Sequence, residues 1–301
     1  MTAAADTTLV VLDILGQKVF TINGDGEEVN VLRTGLDKAP DGVFIDTARG
    51  HVYATMMGTV DMKTQTSHVE DGAVWRMNLD GSDPVRLVGG GVTETPKQIT
   101  ADLQNGKLYW CDREGMRVMR AGLDGSDVET LVVTGTRPRD TDDASHWPVG
   151  IAVDPKARQF YFTLKGNSDA GQGSICRAGY DLPDGETPET RSDVEVLFRN
   201  LPEPIDLEFD GEGGFLYWTD RGDLKGGNSL SRAAFDKTGR FEAEPKLLMQ
   251  DLGEAIGLVV DHASGHIFVS SLNGVLYRAR MDGSDQTVIG TFTGLSGIAK
   301  L

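Results

Sequence analysis

Two acidic residues, Asp206 and Glu208, have the types and spacing in this sequence that most directly suggest chemistry. They alternate within the segment DLEFD, so in a β-strand both side chains lie on the same side. Two carboxyl groups this close must be neutralised by a cation or must retain a proton. Such groups act as general acids or bases, and they also bind hard cations. The pair therefore predicts an acid–base site or a Ca²⁺ or Mg²⁺ site.

Cationic and imidazole side chains elsewhere in the chain could complete an acid–base site. Lys97 and Arg221 could stabilise a developing anion, and His146 could act as the acid. We predict catalytic roles for these three residues together with Asp206 and Glu208. Residues predicted to contact the ligand are Asp41, Arg113, Trp147, Lys165, Asn167, Glu203, Asp223 and Asn228.

Each of these residues also has a purely structural explanation, and the sequence leaves both explanations open. Asp206 and Glu208 could line a water-filled channel, and His146 could cap its own loop while Trp147 packs against Pro148. The sequence has no His or Cys spacing typical of a zinc site, and it has no GxSxG, P-loop or HExxH motif. A metal at the acidic pair would therefore be Ca²⁺ or Mg²⁺ held by oxygen ligands.

The segments that carry these residues are copies of one repeat. Each copy begins with an apolar segment ending in Asp, as in GIAVD, and continues after a short turn with a second one, as in FLYWTD. A third apolar segment leads into a turn, and a fourth closes the copy. Asp-Gly favours a hairpin because it tolerates positive φ, so it should join the last two strands at residues 80–81, 124–125 and 282–283.

Four strands per repeat and six repeats predict an all-β, six-bladed β-propeller spanning residues 1–301 as a single domain. Five repeats are complete. The sixth is split, because residues 297–301 form a lone first strand and the chain's beginning supplies the other three, at residues 9–12, 18–21 and 28–32. We expect the terminal strands to share one blade and to close the ring, which leaves few free sheet edges.

Charged residues recur at two positions of the repeat. The five complete copies end their first strand in Asp and have an Arg in their third strand, whereas the split copy has Leu301 and Thr21 there. Because unpaired buried charges are costly, we predict an Asp–Arg ion pair within each complete blade. The pairs are Asp46 with Arg76, Asp102 with Arg120, Asp154 with Arg177, Asp210 with Arg232, and Asp261 with Arg278.

The motifs LYWTD at residues 216–220 and LYWCD at residues 108–112, with the repeated LDGS, resemble the YWTD-repeat propellers, the class B repeats of low-density-lipoprotein-receptor-type proteins. The resemblance covers essentially the whole chain. It implies the six-bladed fold, and it implies a protein-binding propeller as one candidate function.

Several connections are longer than the repeat requires. Those between the second and third strands are enlarged at residues 57–72, 165–173 and 221–228, and the longest connection between blades is residues 135–148. Function in propellers resides in such loops on a rigid scaffold. We expect the enlarged connections to crowd one rim and to form a wall around the central funnel.

The chain has 29 Lys and Arg residues against 46 Asp and Glu residues, for a net charge of −17. Such a surface repels phosphate groups, so we expect neither nucleic acid nor membrane partners. The first residues lack the basic start and apolar run of a signal peptide. Cys111 and Cys176 have no disulfide framework spacing, so we expect reduced, buried thiols and a cytoplasmic location.

The sequence therefore favours a small-molecule enzyme of hydrolase, lyase or isomerase type, with a polar pocket in the central funnel. The alternative is a non-catalytic propeller that binds a protein or a small ligand. The two are separated by one question, which is whether Asp206, Glu208, Lys97, Arg221 and His146 converge on one cavity.

Overall fold

A computed structural model describes residues 3–61, 67–242 and 244–301. Within these residues the chain forms six four-stranded antiparallel sheets, which we number as blades 1 to 6. Blade 1 is β1 (Thr8–Asp13), β2 (Lys18–Asn23), β3 (Val29–Arg33) and β24 (Leu295–Lys300); blade 2 is β4 (Pro40–Asp46), β5 (His51–Met56), β6 (Ala73–Asn78) and β7 (Val85–Val88); blade 3 is β8 (Pro96–Asp102), β9 (Lys107–Asp112), β10 (Arg117–Gly122) and β11 (Glu129–Val133); blade 4 is β12 (Pro148–Asp154), β13 (Gln159–Leu164), β14 (Gly173–Gly179) and β15 (Glu195–Leu201); blade 5 is β16 (Glu203–Asp210), β17 (Phe215–Arg221), β18 (Ser229–Ala234) and β19 (Lys246–Met249); blade 6 is β20 (Ala255–Asp261), β21 (His266–Ser271), β22 (Val275–Arg280) and β23 (Thr287–Thr291).

The predicted ring closure is confirmed in blade 1. Strand β24 pairs antiparallel with β1, with Val10 opposite Ala299 and Leu9 opposite Lys300. Two short 3₁₀ helices, Ala4–Asp6 and Ala144–His146, accompany the strands, and no helix in the described part of the chain is long and apolar enough to cross a membrane. The six-bladed propeller predicted from the repeats is therefore the observed fold.

The core lies between neighbouring blades. Tyr109 and Cys111 of blade 3, for example, pack with Phe160, Phe162 and Cys176 of blade 4, and all five side chains are buried. Alternation along each strand directs one set of apolar residues to each neighbouring blade. Burial of this apolar surface between sheets is the main stabilising term of the ring.

The Thr of the YWTD-type motif joins adjacent blades. Thr55 accepts a hydrogen bond from the Gly42 amide at 2.8 Å in its own blade and donates one to the Lys97 carbonyl at 2.7 Å in the next. Hydroxyl groups at the same place in other blades make the same two bonds, and these are Thr163, Thr219 and Ser270. The motif thus specifies blade-to-blade contacts near the central axis.

The predicted Asp–Arg ion pairs are wrong. Each first-strand Asp instead accepts backbone N–H bonds in the turn that follows it, as Asp102 does from Gln104 and Asn105. Four of the five Arg side chains reach the next blade, where Arg120 donates to the Tyr180 carbonyl at 3.1 Å. Equivalent bonds are made by Arg177, Arg232 and Arg278. Two of these Arg residues also form an ion pair within their blade, but with an acid of the fourth strand, and these pairs are Arg120 with Glu129 and Arg177 with Glu195.

We call the edge with the second-to-third-strand connections and the crossovers between blades the upper rim, and the opposite edge the lower rim. The predicted Asp-Gly hairpins lie on the lower rim, where Gly81, Gly125 and Gly283 have φ of +80°, +85° and +89°. A Cβ on Gly81 would lie 2.4 Å from the Leu32 carbonyl oxygen of blade 1. Gly is therefore required there both for the turn and for close contact with the neighbouring blade.

Enlarged connections occur on both rims, so the expectation that they crowd one rim is wrong. The upper rim carries those expected from the sequence, although residues 62–66 lie outside the described residues. The lower rim carries two more, at residues 180–194 and 235–245. The first of these covers the outer edge of blade 3, because Arg191 donates to the Leu131 carbonyl and the Pro188 carbonyl accepts from Val133.

Candidate functional site

The first strands of the six blades surround a central channel with a volume of about 300 Å³. Asp206 and Glu208 of β16 both line it, on the same side of their strand, as their alternation predicts. Gln98 and Thr100 of blade 3 and Lys300 of blade 1 line the same channel, and its other lining residues are apolar in type. The acidic pair is therefore placed at the axis, where the sequence placed it.

Backbone amides of the next blade are the partners of these two acids. Asp206 Oδ2 accepts from the Leu258 amide and Glu208 Oε2 from the Val260 amide, each at 3.1 Å, and both amides belong to β20. Burial raises the pKa of Asp206 to about 7 and that of Glu208 to about 8. Burial without a neighbouring cation thus shifts both carboxyl groups toward the protonated form.

The metal prediction gains no support from the channel. Ca²⁺ takes six to eight oxygen ligands, whereas Asp206 and Glu208 contribute two carboxyl groups that already accept amide bonds. The described residues contain no group of three or more His, Cys, Asp or Glu side chains that could hold a metal ion. A Ca²⁺ or Mg²⁺ ion at this pair stays a prediction.

A second, smaller cavity of about 30 Å³ lies at the upper end of the axis, and we call it the upper mouth. Its apolar floor is formed by Val149, Ile205 and Ile256, which pack against one another. Its other lining residues are the charged side chains of Asp41, Lys97, Arg113, Lys165 and Arg221. The floor residues Val149, Ile205 and Ile256 directly precede Gly150, Asp206 and Gly257 in the first strands, so they lie between the upper mouth and the channel.

Ion pairs satisfy the charged side chains of the upper mouth. Lys97 Nζ lies 2.8 Å from Asp41 Oδ2, and both residues are buried. Glu203 binds two cations, with its Oε2 atom 2.8 Å from Lys165 Nζ and 3.3 Å from Arg221 Nε. Burial lowers the pKa of Lys97 to about 8, although Asp41 opposes the shift, and burial also lowers the pKa of Lys165.

Arg113 contributes a further pair to the upper mouth. Its guanidinium binds the carboxylate of Glu114 and lies 5.3 Å from the ring centre of Trp147. Glu114 is fully buried and also accepts from the Ser67 amide at 3.3 Å. The sequence analysis missed Glu114, and the available signal was its place next to Arg113 in a connection too short to expose it.

His146 and Asn167 are fixed within the crossover between blades 3 and 4. His146 Nδ1 contacts the Thr134 carbonyl oxygen, and its Nε2 atom lies 3.8 Å from Asp140. Asn167 donates to Asp143 Oδ1 at 2.8 Å and accepts from the Ala144 amide. These bonds hold the loop, as the structural explanation of His146 proposed.

Asp223 and Asn228 lie in the connection that follows β17. The Asp223 amide donates to Asp169 of blade 4 at 2.8 Å, and Asn228 accepts from the Glu254 amide at 2.6 Å. Asn228 also donates to Asp223 Oδ1 at 3.2 Å. Both residues therefore tie loops of adjacent blades together on the upper rim.

The five residues predicted to be catalytic do not converge on one cavity. Asp206 and Glu208 line the channel, Lys97 and Arg221 line the upper mouth, and His146 lines neither of these two cavities. The apolar floor lies between the first two groups. The predicted carboxylate base and the cationic stabilisers therefore line different cavities and do not share one pocket.

Comparison with known proteins identifies relatives that match most of the chain. A Pyricularia oryzae protein named low-density lipoprotein receptor-related protein 1 is 40% identical over 281 residues, which is 90% of this chain and 88% of that protein. A Cochliobolus heterostrophus protein named as 3-hydroxyacyl-CoA dehydrogenase-like is 38% identical over 256 residues, covering 82% of this chain but only about half (52%) of that protein's length. No protein-family model matches the chain.

Among solved structures, the chain resembles one from a nidogen–laminin complex, with a TM-score of 0.71 and 18% identity over 98% of both chains. A calcium-binding regucalcin from Agrobacterium tumefaciens matches 81% of this chain and 72% of its own, with a TM-score of 0.56 and 17% identity. At these identities the two structures support the fold alone.

Proposed function

Because this chain belongs to the YWTD-repeat propellers of the low-density lipoprotein receptor-related proteins, we propose that it is a non-catalytic module that binds a protein partner through its upper rim. The observation that carries the proposal is the separation of the predicted acid–base residues. The acids line one cavity and the cations another, and an apolar floor lies between them.

At the upper mouth, the small size of the cavity favours a protein partner over a small substrate. Its volume of about 30 Å³ compares with roughly 300–1,000 Å³ for pockets that enclose a small organic ligand. Buried ion pairs such as Lys97–Asp41 fill the space that a substrate would need. The upper rim therefore offers a closed surface around the axis, which suits contact with another macromolecule.

The described parts of the upper-rim loops are held in place before any partner arrives. Lys38 binds Asp71 within the region of blade 2, and Arg137 of the long crossover binds Glu94. The Asn167–Asp143 hydrogen bond joins the crossover to blade 4. Ordered loops lose little conformational freedom on association, so a surface of this kind favours binding.

The descriptions of two similar proteins bear on the choice between protein binding and catalysis. The nidogen structure is described as a complex with laminin, so that propeller was solved with a protein partner. The dehydrogenase-like name belongs to a protein about half of which is matched. This chain lacks a GxGxxG motif between a strand and a helix, so we do not extend dehydrogenase chemistry to it.

A comparison of matched charge reversals on the two rims tests the proposal. Arg139 and Asp142 on the upper rim have side chains that are 74% and 84% exposed. Their lower-rim counterparts, Arg158 and Asp181, are 55% and 72% exposed. We would prepare the double variants Arg139→Glu/Asp142→Arg and Arg158→Glu/Asp181→Arg, confirm folding by circular dichroism, and use each as bait in quantitative affinity purification.

We expect one partner protein to be retained by wild type and by the lower-rim variant. The upper-rim variant should not retain it. The purified partner should bind wild type in calorimetry, with affinity reduced at least tenfold by the upper-rim reversal. A partner lost only from the lower-rim variant would reject the upper rim as the binding surface. Retention of no protein by any bait would reject protein binding.

We further propose a cytoplasmic location, on the basis of the two thiols. Cys111 and Cys176 are free and buried, as the sequence predicted, and unpaired thiols are typical of a reducing compartment. Fractionation of cells that express the tagged chain tests the proposal, and recovery only in the secreted fraction would contradict it.

A further inference from the structure

We propose that the upper mouth binds a small monovalent anion, of which chloride is the simplest example. Four cationic side chains from three neighbouring blades line this cavity, and they are Lys97, Arg113, Lys165 and Arg221. The chain as a whole is acidic, with a net charge of −17, so a group of four cations in one cavity is unusual for its composition. The proposed site does not depend on a protein partner.

The lining of the upper mouth carries more cations than acids. Four carboxylates, those of Asp41, Glu114, Glu203 and Glu254, pair with the four cations, and the Glu254 contact is long at 3.8 Å. Only Asp41 lines the cavity itself, whereas Glu114 and Glu203 lie outside the lining. The groups that face the cavity are therefore predominantly positive, and they favour a bound anion.

Arg221 supplies donors for such an anion. Its Nε atom lies 3.3 Å from the carboxylate of Glu203. One of its Nη atoms lies 3.8 Å from the carboxylate of Glu254, which is half-exposed. Neither contact has the geometry of a hydrogen bond, which leaves the Nη groups of Arg221 available among the described residues. Lys165, 7% exposed, lies on the other side of Glu203 and brings a second buried cation to the cavity.

The dimensions of the cavity select for a small ion. A volume of about 30 Å³ holds on the order of one or two water-sized particles. The floor of Val149, Ile205 and Ile256 offers no hydrogen bonds to the oxygen atoms of a larger oxyanion. A single compact charge fits both the space and the apolar floor, so we expect halides to bind and gluconate to be excluded.

Protonation of Lys97 should couple to anion binding. The pKa of Lys97 is lowered to about 8 by burial and by Arg113, although Asp41 and Glu114 act in the opposite direction. Lys165 and Arg221 add positive charge on the far side of the same cavity. A bound anion favours the charged amine, so anion affinity should fall as the pH rises through about 8.

Thermal unfolding of the full chain in sodium chloride and in sodium gluconate at equal ionic strength tests the site. Wild type at pH 7 should gain about 3 °C in Tm between 10 and 300 mM chloride, with saturation, and much less in gluconate. The gain should shrink at pH 9.5. Arg221→Gln should lose it, and Arg139→Gln, whose side chain lies outside the cavity and pairs with Asp140, should keep it.

Equal Tm gains in the two salts, or a full chloride effect in Arg221→Gln, would overturn the proposal. If Arg221→Gln does not fold, crystals of wild type grown in sodium bromide decide the question. An anomalous peak within contact distance of Arg221 and Lys165 would support the site. Bromide found only elsewhere on the surface, as an adventitious ion, would reject it.

Discussion

The upper mouth and the central channel differ in how they accommodate buried charge, although both lie on the axis of the propeller. In the upper mouth each acid has a cation, as Asp41 has Lys97. In the channel, Asp206 and Glu208 have only backbone amides, and burial raises their pKa. A buried carboxyl group with a neighbouring cation is thus stabilised in its ionised form. A buried carboxyl group without one is shifted toward its protonated form.

The largest effect should come from breaking an ion pair in the upper mouth. Glu203→Gln removes the carboxylate shared by Lys165 and Arg221, which leaves Lys165 buried and charged. Loss of one partner of a buried pair costs about 3 kcal/mol, measured as the free energy of unfolding in urea. The control is Glu254→Gln, half exposed, which should change the value by less than about 0.5 kcal/mol. Equal effects of the two substitutions would mean that the upper-mouth pairs do not stabilise the fold.

The channel acids should respond to pH in the way that their raised pKa values dictate. The folded state holds these protons more tightly than the unfolded chain, so their contribution to stability is complete at pH 4 and is lost as the pH rises through about 7 to 8. We expect wild type to lose at least about 2 kcal/mol between pH 5 and pH 9 through this pair.

The double variant Asp206→Asn/Glu208→Gln should remove this loss, since neither amide titrates. Urea unfolding at several pH values gives the comparison, and circular dichroism at pH 5 verifies that the variant is folded. If the free energy of unfolding of wild type and of the double variant changes with pH in parallel, the channel acids are ionised in the folded protein. The contrast with the upper mouth would then be wrong.

The smallest effect should come from changing the shape of a cation while keeping its charge. Arg113→Lys retains the attraction to Glu114 but loses the two-point contact and the stacking on Trp147. We expect a loss of about 1 kcal/mol in thermal or urea unfolding. Arg139→Lys on the exposed crossover is the matched control and should be neutral. A neutral Arg113→Lys would show that charge alone, without geometry, holds the upper mouth.

The sequence predicted the fold well because the repeat is local. Strand alternation, the Asp-Gly turns and the split copy each depend on neighbours in the chain, and together they placed Asp206 and Glu208 on one side of a strand at the axis. The partners of the acids could not be predicted, because the amides of Leu258 and Val260 are backbone groups of a different blade. The sequence pattern contains no information about such contacts.

The predicted Asp–Arg pairs also show that the repeat pattern does not reveal which side chains are in contact. Asp46, Asp154 and their equivalents recur with Arg because both positions belong to the repeat, and co-occurrence alone suggested contact. The structure assigns the two charges to a local turn and to the next blade. The apolar floor of Val149, Ile205 and Ile256 was equally hidden, since three ordinary strand residues separate two sites only when the ring is closed.

The shared blade determines how the propeller is presented to its surroundings. Thr8 begins β1 and Lys300 ends β24 at the lower rim, and the Leu301 amide donates to the Thr8 carbonyl at 2.9 Å. A linker attached next to Thr8 or Lys300 would therefore start from the lower rim. A chain immobilised in this way would be attached at its lower rim, and its upper rim would be exposed to solution.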